Sequence, residues 1–270
     1  MDLAAEYDNR ALIPGHPAII EGWRRAAAAY REEAKADFDV GYGARLRNRL
    51  DMFHPASGAA GALVVFIHGG YWRSFDKSVF SHMAGGAVAH GLRVAVPSYS
   101  LCPEVSVLEI IDELRQCCLH LYRLTGRPLV VAGHSAGGHL AACMAATDWT
   151  QFGAPGDLVA GGLSVSGLYD LRPLLATPVN DDIGLTAVSA LVASPLMWPA
   201  PRRMRFECWA GGHESSEFLR QSASLAAAWT GLGLDAPYVE VADANHFTAP
   251  APLADPGSAM TENLVRLALG

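Results

Sequence analysis

The stretch "PLVVAGHSAGGHLAA", residues 128–142, constrains this chain more than any other. A short apolar run leads straight into Gly133-His134-Ser135-Ala136-Gly137, and a helix of small residues over 136–146 follows. The pattern G-x-S-x-G between a strand and a helix places the serine on a sharp turn, and the flanking glycines allow the close backbone approach that such a turn requires. The N-terminus of the following helix points backbone N–H groups at the space before Ser135, where negative charge can develop. A strand that turns directly into a helix is also the repeating unit of a parallel sheet.

The rest of the chain repeats that unit. A helix is expected over 17–35, strands over 36–42 and 46–53, and a loop of breaker residues at "HPASGAAG". Leu63 to Ile67 reads as a strand buried on both faces. Phe75 to His90 reads as a helix, "LRVAVPSYS" as a strand stopped near Pro97, and 103–126 as a helix with Pro103 near its start and Gly126 past its end. "AGGLSVSGLYD", "RFECWAGG" and "PYVEVAD" supply further strands, with helices over 218–229 and 261–267. The expected fold class is α/β: a mostly parallel sheet with helices on both faces, in a single domain spanning residues 1–270. The proline-rich segment 170–201 breaks the rhythm and reads as an insertion. Together with the N-terminal segment 1–36 it is expected to cap the site.

A serine nucleophile needs a base, and the base needs a group to orient it. Downstream of the helix after Ser135 stand His213 and His246. His246 lies in "VADANHFTAP", directly after the last expected strand, and is the base candidate. His213 reads as a neighbour of Glu214. Glu214 comes after the preceding strand in "CWAGGHESSEFLRQS" and is the orienting acid, with Glu217 and Asp243 as competitors. The order serine, acid, histidine is that of the α/β-hydrolases, which the chain resembles in these motifs.

"VFIHGGYWRSF", residues 65–75, fits the same picture. Its "HGGYW" resembles the HGGG-type motif of lipases and esterases. That resemblance implies an oxyanion hole built from the backbone N–H groups of Gly70 and Tyr71, with Ala136 from the serine turn, and gives His68 a structural role. "HGGYW", "GHSAGGHLAA", "SPL" at 194–196, "ESSEFLRQS" and "NHF", with the early "EYDNRALIP" and "LCPE" at 101–104, together resemble the serine-dependent kynurenine formamidases (arylformamidases), relatives of the hormone-sensitive-lipase esterases. The resemblance spans nearly the whole chain; the departure is glutamate at 214, where that family usually has aspartate. It implies cleavage of the acyl group, above all formyl, of a small aromatic amide through an acyl-enzyme, with a short-chain carboxylesterase as the alternative. Tyr71, Trp72 and Trp198 are the candidates to stack on an aromatic leaving group.

No cofactor is expected. H-E-x-x-H and zinc-spaced histidine–cysteine clusters do not occur, and neither does a P-loop or dinucleotide fingerprint. The net charge of −7 without a basic run argues against nucleic acid or an anionic membrane as partner. The expected partner is a small acylated aromatic molecule, with a homodimer allowed. The five cysteines are an odd number without a tight framework, and the first residues lack the features of a signal peptide, so the expected location is cytoplasmic.

Overall fold

In the computed structural model, which describes residues 2–201 and 203–270, the strand at the centre alternates its side chains between two cores. Met1, the first residue of the expected N-terminal segment, lies outside the described residues, as does Arg202. The strands are β1 (Ala36–Gly41), β2 (Arg49–Phe53), β3 (Leu63–Ile67), β4 (Val94–Pro97), β5 (Leu129–His134), β6 (Val159–Val165), β7 (Arg205–Gly211) and β8 (Tyr238–Val241). They form one eight-stranded sheet in the order β1-β2-β4-β3-β5-β6-β7-β8. β1 and β2 join antiparallel at one edge, and from β4 to β8 every pairing is parallel.

The helices are α1 (Leu3–Tyr7), α2 (Asn9–Leu12), α3 (His16–Glu33), α4 (Gly85–Ala89), α5 (Val107–Thr125), α6 (Ala136–Ala145), α7 (Asn180–Ile183), α8 (Ala187–Val192), α9 (Ser216–Gly231) and α10 (Ala259–Leu269). Leu63, Val65 and Ile67 of β3 join the core under α5, α6 and α9. Val64 and Phe66 join the opposite core, built with α3 and α10. Every residue of β3 and β5 is buried, as a strand sandwiched between helical layers must be. The antiparallel edge is tied to α3 by a buried charge cluster: the Asp51 carboxylate accepts from Arg31 and from Lys77, the latter at 2.8 Å.

Several boundaries differ from the sequence expectations, each for a local reason. The segment 75–90 is a 3₁₀ helix over Lys77–Ala84 that passes into the short α4. Phe75 has a φ of 70° and cannot join a helix, and Asp76 caps the turn by accepting from the Ser78 N–H. α5 begins after Pro103, at Val107, because Ser106 and Glu109 form a capping box; it ends at Gly126, which adopts a φ of 64°. Sequence periodicity did not reveal α1 and α2, which at five and four residues are too short to carry a helical repeat. Segment 170–201 lies between β6 and β7 as two 3₁₀ turns flanking α7 and α8.

Candidate active site

β5 delivers Ser135 at the head of α6 with φ 57° and ψ −121°, a conformation that residues bearing a Cβ avoid. The turn is held from behind by the Ser135 N–H, which donates to the Val165 carbonyl at 2.8 Å. It is tight enough to exclude side chains at both flanking glycines. A Cβ on Gly133 would sit 2.2 Å from the Gly137 carbonyl oxygen, and one on Gly137 would sit 2.0 Å from that of Ile67. The G-x-S-x-G spacing is therefore a packing requirement of the β5–α6 corner, and its result is a serine Oγ lifted above the sheet.

His246 comes from the loop after β8. Asn245 shapes that loop: its side chain accepts from the N–H groups of Phe247 and Thr248, and its own N–H donates to the Thr248 hydroxyl. His246 Nε2 lies 3.0 Å from Ser135 Oγ, and Nδ1 lies 2.7 Å from Glu214 Oε2. The carboxylate fixes the tautomer, since Nδ1–H must donate to it, leaving Nε2 free to accept from the serine hydroxyl. Phe218 of α9 packs its ring 4.4 Å from that of His246 and confines the imidazole.

The Glu214 side chain is completely buried. Its other oxygen, Oε1, accepts from the Gly211 N–H at 2.6 Å and from the Ser166 hydroxyl at 2.5 Å. Three donors thus surround one carboxylate, which compensates its loss of water. Asp243 is solvent-exposed, and Glu217 is engaged by Tyr7 and Arg220, so neither competitor is at His246. His213 is exposed. In sequence Ser166 stands only as one residue of the expected strand "AGGLSVSGLYD"; in the fold its φ of 54°, just past the end of β6, accompanies a hydroxyl that donates to Glu214.

His134, inside the turn, donates from Nε2 to the His246 carbonyl at 2.8 Å. Burial, followed by the repulsion of nearby His246, pushes its pKa well below the usual imidazole range. A neutral His134 leaves room for a positive charge on His246. His68 stacks between Tyr99 and Phe80, and burial pushes it down to about 4. His139 is likewise lowered to about 4 by burial and accepts from the Trp72 indole.

The loop after β3 faces Ser135. Gly70 has a φ of 112°, where a Cβ would meet the Ser74 carbonyl oxygen at 2.4 Å, and Tyr71 follows with a φ of 49°. Among the described residues, the N–H groups of Gly70, Tyr71 and Ala136 have no acceptor in the protein. The Tyr71 hydroxyl donates to the Tyr7 carbonyl at 2.8 Å and so ties this loop to α1.

Ser135 and His246 open into a cavity of about 200 Å³. Trp23, Tyr71, Phe75, Phe80 and Phe247 supply aromatic wall; Tyr7, Asn9 and Arg10 come from the N-terminal helices, and Pro178 and Val179 from segment 170–201. Of the sequence-expected stacking residues only Tyr71 lines it. Trp72 is fully buried in the core, edge-on to His139. Trp198 is not among the lining residues: it packs partly buried against the core, its indole donating to the Val192 carbonyl and the Arg115 guanidinium lying over its ring. Trp72 packs edge-on beside Tyr71 with ring centroids 6.2 Å apart, but its indole is committed to His139 in the core, and Trp198 packs against the same core away from the cavity. Among the described residues no three His, Cys, Asp or Glu side chains converge to hold a metal ion, and no helix is long and apolar enough to cross a membrane.

Residues 64–201 match the sequence model of the alpha/beta hydrolase fold family. The kynurenine formamidase of Danio rerio is 30% identical over 260 residues, covering 93% of this chain and 86% of that protein. The kynurenine formamidase of Salmo salar is also 30% identical, with the same coverage of both chains. Among solved structures, one from Silicibacter sp. TM1040, provisionally called a thioesterase, superposes with a TM-score of 0.90 at 38% identity, covering 97% of this chain and 98% of that one. An esterase of Pyrobaculum calidifontis shares the fold at 16% identity, with a TM-score of 0.74 over 96% of each chain.

Proposed function

This chain belongs to the alpha/beta hydrolase fold family, alongside the kynurenine formamidases, and from that membership we propose that it is a serine hydrolase removing the formyl group of a small aromatic amide. The observation that carries the reading is the hydrogen-bonded chain Ser135–His246–Glu214 at the floor of an aromatic cavity. N-Formylkynurenine is the substrate suggested by the relatives' name.

In the proposed reaction His246 Nε2 takes the proton of Ser135 Oγ as the oxygen attacks the formyl carbon. The carbonyl oxygen becomes an oxyanion, held by the N–H groups of Gly70, Tyr71 and Ala136. Glu214 stabilises the imidazolium formed on the way. As the C–N bond breaks, His246 returns that proton to nitrogen, so the amine leaves neutral. Water then attacks the formyl-enzyme with His246 again as base, releasing formate and restoring the serine hydroxyl. The aromatic wall supplies alignment for an aryl amine, which lowers the barrier by pre-positioning the scissile bond.

The test is a turnover panel of N-formyl aryl amines, short-chain aryl esters and short-chain thioesters. A formamide is expected to give a higher kcat/KM than p-nitrophenyl acetate, although that ester is chemically more reactive. An ester winning by a wide margin with no formamide turnover would replace this reading by a carboxylesterase. A location in the cytoplasm is proposed on the unpaired, buried thiols of all five cysteines.

A further inference from the structure

Tyr71 carries one of the oxyanion donors in a backbone shape that its residue type avoids. Its φ is 49°, in the left-handed region where a Cβ crowds the backbone, and the HGGG-type motif it resembles has glycine there. Such a conformation persists only where the surroundings over-determine it. The side chain itself supplies that hold. The Tyr71 hydroxyl donates to the Tyr7 carbonyl at 2.8 Å. Tyr7 is the last residue of α1, so its carbonyl is one that the helix leaves without an internal partner.

Tyr7 is in turn fixed to α9. It is fully buried, its hydroxyl donates to Glu217 Oε2 at 2.7 Å and accepts from Gln221 Nε2 at 2.9 Å, and its ring lies edge-on to Phe218. One residue earlier, Glu6 accepts from the Ser216 hydroxyl at 2.8 Å and from the Glu217 N–H at 3.1 Å. Phe218 is the ring that confines His246. α1 therefore joins the oxyanion loop to the helix beside the catalytic base, by contacts that lie outside the Ser135–His246–Glu214 chain.

We propose that α1 is a strut that sets the oxyanion hole: the Tyr71 hydroxyl and Tyr7 are positioning groups that hold the Gly70–Tyr71 peptide with its N–H available to the oxyanion, and tie that direction to α9. This rests on the reading of Ser135 as nucleophile and holds for any acyl group that the serine attacks. With the tether cut, nothing keeps a side-chain-bearing residue at this φ, and the peptide relaxes. The oxyanion exists only on the way through the transition state, so the loss falls on kcat and not on KM.

The experiment measures kcat and KM on formanilide and phenyl acetate. Tyr71→Phe keeps the ring and the N–H and removes only the tether; it is expected to lower kcat about tenfold or more, up to the ~10²–10³ that loss of a whole oxyanion donor costs, with KM within about twofold. Tyr7→Phe, which loosens α1 from α9, is expected to lower kcat by about threefold to tenfold, and the double variant to fall no lower than Tyr71→Phe alone, since both cut one connection. Phenyl trifluoromethyl ketone supplies a readout that general loosening would not move. Ser135 Oγ bonds to its carbonyl carbon, the serine proton passes to His246, and the carbonyl oxygen becomes an anion in the same hole. Its inhibition constant is expected to rise by the factor that kcat falls, while that of aniline stays within about twofold. Melting temperatures establish that each variant is folded, and Glu6→Ala, on the exposed side of the same contact, replaces Tyr7→Phe if the latter is not. Wild-type kcat in either single variant, losses that multiply in the double variant, or equal weakening of ketone and aniline overturns the strut. If wild type turns over the ester but not the formamide, the amide reading alone fails and the ester decides the strut; turnover of neither overturns both.

Discussion

Replacing Glu214 by glutamine preserves shape and removes one charge, and the surrounding donors dictate the consequence. Oε2 receives Nδ1–H of His246, while Oε1 receives the Gly211 N–H and the Ser166 hydroxyl. A glutamine has one oxygen for these two places. If its oxygen faces Gly211 and Ser166, its NH₂ faces His246, and Nδ1 must become the acceptor. Nε2 then carries the proton and cannot accept one from Ser135. If the amide is reversed, the NH₂ meets the fixed Gly211 N–H, two donors in a dry site. Either choice loses the correct tautomer or a buried hydrogen bond, and neither stabilises the imidazolium. A wrong tautomer alone costs about 10⁴ in kcat where a triad carboxylate becomes an amide; the second orientation, in which two donors meet in a dry site, costs about 3 kcal/mol, the upper end for an unsatisfied buried group, and sets the lower bound near 10². Glu214→Gln is therefore expected to lower kcat by about 10²–10⁴ at little change in melting temperature, whereas Asp243→Asn, in solvent, should stay within about twofold. Release of the aryl amine, monitored by absorbance at saturating substrate, measures both. A Glu214→Gln variant within tenfold of wild type, or an Asp243→Asn variant that is the worse of the two, would refute the assignment of the acid.

Ser135→Ala is expected to lower kcat by at least ~10³ and to abolish labelling by a fluorophosphonate, which mass spectrometry should place on Ser135 in the wild type; a label on another serine would refute the nucleophile. Gly137→Ala should destabilise by more than ~4 kcal/mol or fail to fold, despite the better helix propensity of alanine, because the new methyl would lie 2.0 Å from the fixed Ile67 carbonyl oxygen; a soluble variant with wild-type melting temperature would show that the corner can relax. Acid should unfold the protein early: burial lowers His68 and His139 to about 4 from an ordinary 6.5, so below pH 6.5 the unfolded chain binds protons that the folded chain refuses. Their contribution is complete above about pH 6.5 and is lost as pH falls toward 4, on the order of 2 kcal/mol each at pH 5. Melting temperature measured from pH 7 to 4 should drop steeply across that window, and a flat profile would contradict the buried neutral state.

Sequence alone was enough to place every strand near its observed position and to put Ser135, Glu214 and His246 at strand ends. Those features are local. A buried parallel strand needs a continuous apolar run, and the β5–α6 corner admits only glycine at 133 and 137, so each leaves a mark within a few residues of itself. The tertiary structure decided what depends on distant partners. It buried Glu214 under Gly211, Ser166 and His246 while leaving Asp243 in water; position after the preceding strand favoured Glu214, but only the packing of three separate loops decides which carboxylate meets the imidazole. It committed Trp72 to the core and packed Trp198 partly against that core away from the cavity, because a side chain's direction on an irregular loop is set by backbone angles and opposing elements rather than residue type. It also brought α1 and α2, too short to show a period, to the cavity, where Tyr7 holds them to α9 and Asn9 and Arg10 line the wall. Patterns along the chain record what a residue requires of its immediate neighbours; which surfaces face each other across the active site is settled only when the layers pack.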